Sequence, residues 1–132
     1  MSKYDVNKFK QVTVALNTPF QPDGSVDLKA VRAVVNYFYN KGIRQMYVCG
    51  STGEGFLLDT QERMAVTETV VEEAAGRMNI IVHVGCPDTR HSEELARHAE
   101  KAGADATSAV PCVYYRMGEE SVFQHWTKIT EA

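Results

Sequence analysis

The segment VCGSTGEGFLLD, residues 48–59, holds the residues of this chain that are most suited to chemistry. Its glycines and hydroxyl residues are Gly50, Ser51, Thr52, Gly53 and Gly55. Glycine lets a backbone turn tightly and approach a ligand closely. Clustered N–H and O–H donors form a small anion site. The segment therefore predicts an anion-binding loop, with Gly50, Ser51, Thr52 and Gly53 as its binding residues.

The spacing of the glycines restricts the kind of anion. The pattern G-x-x-G-x-G differs from the dinucleotide pattern G-x-G-x-x-G and from a phosphate-binding loop that ends in GK[ST]. Glu54 would repel a polyphosphate, and no lysine follows it. A single carboxylate suits the loop better. The alternative is a plain glycine turn before a helix, because Asp59 and Glu62 have the spacing of a capping box.

Four short apolar runs and four helical patterns position this loop. The runs are QVTVAL (11–16), QMYVC (45–49), IIVHV (80–84) and ATSAV (106–110), each predicted as a strand buried on both faces. The helices are predicted over about 27–41, 60–75, 90–102 and 119–131, with Thr89 as the N-cap of the third. Gly42, Gly76 and Gly103 are predicted to end the first three.

The alternation of strands and helices predicts an α/β fold with a parallel sheet. Either a small doubly wound sheet or part of a (β/α)8 barrel fits four βα units. A whole barrel needs roughly 250 residues, whereas this chain has 132. We predict one domain over residues 1–132. Because ligands bind at the carboxyl ends of parallel strands in both architectures, the glycine loop lies at the expected place.

Composition excludes several classes of function. The 14 basic residues are scattered and the formal net charge is −3, which argues against nucleic acid as a partner. No apolar run approaches the roughly 18 residues of a membrane span, and the first residues lack the apolar stretch of a signal peptide. The three cysteines, Cys49, Cys86 and Cys112, are widely spaced. They predict a reducing, cytoplasmic location.

The cysteines and one histidine allow two weaker hypotheses. Cys49, His83, Cys86 and Cys112 fall at similar depth near strand ends, where they could bind zinc or provide a cysteine nucleophile. No C-x-x-C pair is present, although structural zinc sites usually contain one. Cysteine is among the most buried residue types, so ordinary packing is the favoured interpretation.

Several motifs together resemble a known family. GSTGEG followed by Glu62 resembles the signature of the pyruvate-dependent Schiff-base aldolases, the family of N-acetylneuraminate lyase and dihydrodipicolinate synthase. LNTPF (16–20), HVGC (83–86) and GADATSAVP (103–111) resemble its first, third and fourth strand ends, and STGEGF, HVGC and SAV lean toward the lyase branch. Gln45 departs from the signature, which usually has a small residue there, and Cys112-Val113 is also unusual.

The resemblance implies the N-terminal half of a (β/α)8 barrel, in a family that commonly forms tetramers. It implies that Ser51 and Thr52, with Gly50 and Gly53, hold the carboxylate of pyruvate or another small α-keto acid. Ser51 would also join a hydroxyl relay with one of Tyr114 and Tyr115, although an aromatic contact at an interface would equally explain the tyrosine pair. No cofactor and no metal are implied.

The Schiff-base lysine is expected to be absent. In the family it ends the sixth strand, whereas this chain has four units, and none of its lysines falls at the carboxyl end of a predicted strand. We therefore expect the N-terminal half of an enzyme that cleaves sialic acid into pyruvate and N-acetylmannosamine, inactive alone. A dihydrodipicolinate synthase-like enzyme is the first alternative, and a non-catalytic self-assembling half-barrel is the second. The expected partners are a second copy of the chain or the missing C-terminal half-barrel.

Overall fold

The structure is a computed structural model that describes residues 5–111 and 114–132. A short 3-10 helix, Val6–Phe9, precedes four βα units. The strands are β1 (Val14–Ala15), β2 (Gln45–Val48), β3 (Asn79–His83) and β4 (Ala106–Ser108). The helices are α1 (Leu28–Asn40), α2 (Thr60–Ala74), α3 (Thr89–Ala102) and α4 (Glu119–Glu131). Within these described ranges, no helix is both long and apolar enough to cross a membrane.

The four strands form one parallel sheet in the order β1-β2-β3-β4. Sequential order with a helix after each strand confirms the predicted βα repeat. β1 pairs over only Val14 and Ala15, which is shorter than the predicted run of residues 11–16. Each helix packs on the next one, so α1 to α4 form a single layer on one face of the sheet.

The core lies between the sheet and this helix layer. Met46 and Val48 of β2 are fully buried there, as are Val31 and Val35 of α1. The opposite sheet face is only partly covered, since Tyr47 and Ile81 are half-buried. The prediction that the strands are buried on both faces is therefore wrong, because no second layer of described residues covers this side.

Side-chain caps determine where three of the helices begin. Asp59 and Glu62 form the predicted capping box at α2, which is confirmed. The N-cap of α3 is Asp88, whose carboxylate accepts a hydrogen bond from the His91 amide. The assignment of Thr89 as that cap is wrong, because Thr89 is the first helical residue. The predicted glycines end the first three helices in the left-handed conformation. Gly103 is the C-cap of α3, and Gly42 (φ 88°) and Gly76 (φ 71°) directly follow the C-caps of α1 and α2.

A polar network closes the amino-terminal end of the sheet. The Gln45 side chain is buried and donates hydrogen bonds to the Phe9 carbonyl and to the Thr13 hydroxyl. Asn79 donates to the Lys8 carbonyl at 2.9 Å, and the Lys8 ammonium pairs with Asp105 at 2.7 Å. The unusual Gln45 therefore has a structural role, because it ties the segment before β1 to the end of the sheet opposite the glycine loop.

Candidate functional site

The glycine loop connects the carboxyl end of β2 to α2. Two residues that are not glycine, Cys49 (φ 57°) and Glu54 (φ 55°), adopt the left-handed conformation in it. The Glu54 amide donates to the Ser51 carbonyl, and the Gly55 amide donates to the Gly50 carbonyl, both at 3.1 Å. The loop is therefore a compact turn whose two ends are held together by its own backbone.

The glycines of the loop are required by contacts within the chain. A Cβ at Gly55 would lie 1.9 Å from the Cys49 carbonyl oxygen, and one at Gly53 would lie 2.8 Å from the Leu16 carbonyl oxygen. No side chain larger than hydrogen fits at such distances from backbone atoms. The tight turn predicted for these glycines is thus confirmed at Gly53 and Gly55, where the backbone approaches itself closely. Their close approach to a ligand stays a prediction.

The hydroxyls and amides at the tip of the loop donate no hydrogen bond to the described residues. Ser51 and Thr52 are exposed. Within residues 5–111 and 114–132, neither their hydroxyls nor the amides of Ser51, Thr52 and Gly53 have a hydrogen-bond acceptor. The far side of the loop is fixed instead, because the buried Thr18 hydroxyl donates to the Gly53 carbonyl at 2.7 Å. The arrangement is a turn fixed by its own backbone and by Thr18. It carries two exposed hydroxyls and three amides that have no acceptor among the described residues.

A buried arginine supports the strand ends behind the loop. Arg63 of α2 is 3% exposed. Its guanidinium donates to the carbonyls of His83 at 2.6 Å and Gly85 at 3.1 Å, and to the Cys86 sulfur at 3.1 Å. No carboxylate among the described residues pairs with it. Arg63 therefore holds the β3 end through backbone oxygens instead of an ion pair.

His83 connects the ends of neighbouring strands. Its Nε2 atom accepts a hydrogen bond from the Val110 amide at 3.3 Å, and its Nδ1 atom lies 3.4 Å from the Arg63 guanidinium. Burial, and secondarily the charge of Arg63, lowers the pKa of His83 from 6.5 to about 4. The imidazole is thus neutral near pH 7 and serves as a link between strands.

Neither weaker hypothesis about the cysteines gains support. Burial raises the pKa of the Cys49 thiol to about 11 and also raises the pKa of Cys86, so both are poor nucleophiles. No group of three metal-ligating side chains occurs in the described parts of the chain. The cation of Arg63 lies among Cys86 and His83, where a metal would need to be. Cys112 lies outside the described residues.

Tyr114 and Tyr115 are exposed on the surface of the described chain. Tyr114 and Tyr115 are 82% and 68% exposed, and their rings meet edge to face with centroids 5.0 Å apart. Neither hydroxyl bonds to Ser51 within the described residues. The hydroxyl relay through Ser51 remains a prediction, and the exposure suits a contact with another chain.

Two supporting residues, Tyr47 and Ser108, were not selected from the sequence. The Tyr47 hydroxyl lies 2.8 Å from the Ser108 hydroxyl, which joins β2 to β4 across β3. The period of two along β2 is the signal that could have found Tyr47, because Gln45 and Tyr47 share the face opposite the core. Arg63 gives no such signal, since an arginine in a helix is usually exposed.

The described lysines are all exposed and none is at the carboxyl end of a strand. They are Lys8, Lys10, Lys29, Lys41, Lys101 and Lys128. Lys8 lies at the opposite end of the sheet, paired with Asp105. None of them is placed to attack a ligand held by the glycine loop.

Comparison with known proteins identifies the family. The match to the Dihydrodipicolinate synthetase family covers residues 8–132. The chain belongs to this family. Its relatives include the N-acetylneuraminate lyase of Mediterraneibacter gnavus, 36% identical over 97% of this chain, and the 4-hydroxy-tetrahydrodipicolinate synthase of Chlorobaculum parvum, 41% identical over 91% of it. The chain spans only 41% and 40% of the length of these two relatives.

Solved structures of family members share the fold. The wild-type sialic acid aldolase of Ruminococcus gnavus superimposes with a TM-score of 0.91 at 36% identity, covering 94% of this chain and 41% of that one. The N-acetylneuraminate lyase of Mycoplasma synoviae superimposes with a TM-score of 0.93 at 32% identity, covering 97% and 45%. The four βα units are therefore the N-terminal half of a (β/α)8 barrel, and the doubly wound alternative is excluded.

The depressed pKa of His83 predicts a pH dependence of stability. The unfolded chain takes up a proton at about 6.5, whereas the folded chain does so only at about 4. The free energy of unfolding should therefore fall as pH decreases between these values, by at most about 1.4 kcal/mol per pH unit. Urea denaturation at several pH values measures this slope. His83→Gln should flatten it. Equal slopes in wild type and H83Q would contradict the prediction.

Proposed function

We propose that this chain is the N-terminal half of an N-acetylneuraminate lyase-like aldolase and that its glycine loop binds the carboxylate of pyruvate. The observation that carries the proposal is the set of donors without acceptors at Ser51, Thr52 and Gly53. The turn is rigid, because the Thr18 hydroxyl and the internal backbone bonds fix it before a ligand arrives. Donors held in position bind an anion without the entropic cost of ordering a loop.

The charge of the site and the number of its hydrogen-bond donors favour a monocarboxylate. The carboxylate of Glu54 lies beside the donors in sequence, and no described lysine is close to them. Two hydroxyls and three amides can satisfy the lone pairs of one carboxylate, whereas a polyphosphate would need cations. In the proposed enzyme the keto carbon of pyruvate would face a lysine from the other half of the barrel. In the cleavage direction, the same amine would attack the keto carbon of sialic acid and release water to form a Schiff base. This Schiff base would accept the electron pair of the carbon–carbon bond that breaks.

The test is a titration of the ¹⁵N-labelled chain with sodium pyruvate. We expect weak, saturable shifts of the amides of Ser51, Thr52 and Gly53. Ser51→Ala/Thr52→Val should weaken binding by at least about tenfold, since two hydrogen bonds to a charged group are lost. Ser121→Ala, an exposed hydroxyl on α4, is the matched control and should bind as wild type does. Unchanged affinity in the double variant would contradict the proposal.

Trapping with borohydride separates binding from catalysis. After treatment with pyruvate and borohydride, the 14.7 kDa chain should carry no pyruvate adduct, because none of the described lysines faces the loop. A stable adduct on this chain would show that one of its lysines can form the Schiff base. Addition of the C-terminal half of the barrel from a relative should restore the adduct on that half.

A dihydrodipicolinate synthase-like activity is the first alternative within the family. The relatives from both branches match the chain at similar identity, 36% and 41%. The groups that would choose between sialic acid and an aldehyde such as aspartate semialdehyde would belong largely to the other half of the barrel. The lyase branch is favoured by the segments STGEGF, HVGC and SAV. A cytoplasmic location accompanies either proposal, because the buried thiols Cys49 and Cys86 are unpaired.

A non-catalytic, self-assembling half-barrel is the second candidate. β1 and β4 are open sheet edges, and the face that carries Tyr47 and Ile81 is only half-covered. Open edges and exposed apolar surface promote association. Sedimentation of the 132-residue chain should therefore show dimers or larger species. A monomer at all concentrations would contradict self-association.

A further inference from the structure

Tyr47 lies directly beneath the start of the glycine loop. A Cβ added to Gly50 would be only 2.5 Å from the Tyr47 ring atom Cε1. The Tyr47 ring therefore packs directly against the backbone of Gly50. This contact is possible because residue 50 has no side chain, and it places the ring against the residue that precedes Ser51 in the chain.

The far end of the Tyr47 side chain is held from another strand. Its hydroxyl lies 2.8 Å from the Ser108 hydroxyl, and the bond is partly buried. Tyr47 is opposite Ile81, and Ser108 is opposite His83, so the side chain of Tyr47 crosses β3 to reach β4. The position of the ring beneath Gly50 thus depends on a residue that is 61 positions away in sequence.

The loop has a second support of a different kind. The Thr18 hydroxyl holds the Gly53 carbonyl, at the other end of the donor cluster. Thr18 acts on the loop directly, whereas Ser108 can act on it only through the Tyr47 ring. The donors of Ser51 and Thr52 lie between the two supports.

We propose that the Tyr47–Ser108 hydroxyl pair positions the carboxylate-binding donors of Ser51 and Thr52 without contacting the ligand. The proposal rests on the proposed function, because pyruvate is the ligand used to measure it. Loss of either hydroxyl would release the ring and let the backbone at Gly50 move. Since the two hydroxyls make one bond, they should act on the loop as a single unit.

The experiment is a double-mutant cycle read by pyruvate affinity. Tyr47→Phe and Ser108→Ala should each raise the Kd for sodium pyruvate by about three- to tenfold. The double variant should be no weaker than the weaker single variant. Ser108→Thr keeps a hydroxyl and should restore affinity. Tyr37→Phe, at an exposed tyrosine of α1, should bind as wild type does. Additive effects in the cycle, or unchanged affinity in Y47F, would overturn the proposal.

Loop order provides a second readout that does not need the ligand. The amides of Glu54 and Gly55 hold the turn together through their hydrogen bonds to Ser51 and Gly50. Their exchange rates should rise in Y47F and S108A and stay unchanged in Y37F, at melting temperatures close to that of wild type. If wild type binds no pyruvate, the proposed function fails, while these exchange rates still decide whether the pair positions the loop. Exchange rates that are the same in all variants would overturn the pair's role.

Discussion

Gly55→Ala should destabilise the protein more than any other single methyl group added to the glycine loop. The new Cβ would lie 1.9 Å from the carbonyl oxygen of Cys49 and 2.7 Å from its carbonyl carbon. Both atoms are backbone, so the clash cannot be relieved by rotating a side chain. The strand end and the loop would have to separate, and we expect a loss of at least about 3 kcal/mol in the free energy of unfolding.

Urea denaturation followed by circular dichroism measures this loss. Gly118→Ala is the matched control, because a Cβ at Gly118 meets no atom within 4 Å. Gly118 is the N-cap of α4 without a side-chain cap bond, so that change should be smaller than about 1 kcal/mol. If G55A fails to fold while G118A folds, the prediction also holds. Equal stability of the two variants would show that the backbone at Cys49 can move freely.

Arg63→Met should give the second large effect, although it removes no salt bridge. The side chain is almost fully buried, and its guanidinium satisfies the carbonyls of His83 and Gly85. A methionine fills a similar volume but leaves both carbonyls without donors. Each buried polar group left without a partner costs about 1–3 kcal/mol. Relief from burying a charge opposes this loss, and we expect a net destabilisation of about 2–4 kcal/mol.

The matched control for this variant is Arg97→Met on α3. Arg97 is exposed and pairs with Glu93 one helical turn away, so its loss should change stability by less than about 0.5 kcal/mol. A second readout is the titration of His83 by NMR. The charge of Arg63 contributes to the depressed pKa of His83, so R63M should raise that pKa. An R63M variant as stable as R97M would show that burying the guanidinium costs as much as its hydrogen bonds contribute.

The sequence by itself determined the features that depend on residues close together in the chain. Periodicities of two and 3.6 residues fall within single elements, which is why the four βα units could be predicted. The capping box of Asp59 and Glu62 joins residues three positions apart, so it could also be predicted from the sequence. The adjacent hydroxyls of Ser51 and Thr52 at the end of a strand were enough to suggest an anion site, because the carboxyl ends of parallel strands share one edge.

The features that only the tertiary structure decided depend on residues far apart in the chain. Tyr47 meets Ser108, and Arg63 meets the strand end at His83, through contacts that no local pattern records. The sequence predicts a tight turn at Gly55, but only the structure shows that the carbonyl of Cys49 is the atom that leaves no room for a side chain there. The sheet face that carries Tyr47 and Ile81 was expected to be buried but is only half-buried. Its burial depends on whether a second layer packs against it. The physical reason is the same throughout. Local conformation depends on neighbouring residues, whereas burial and support of a site depend on which distant segments the fold brings together.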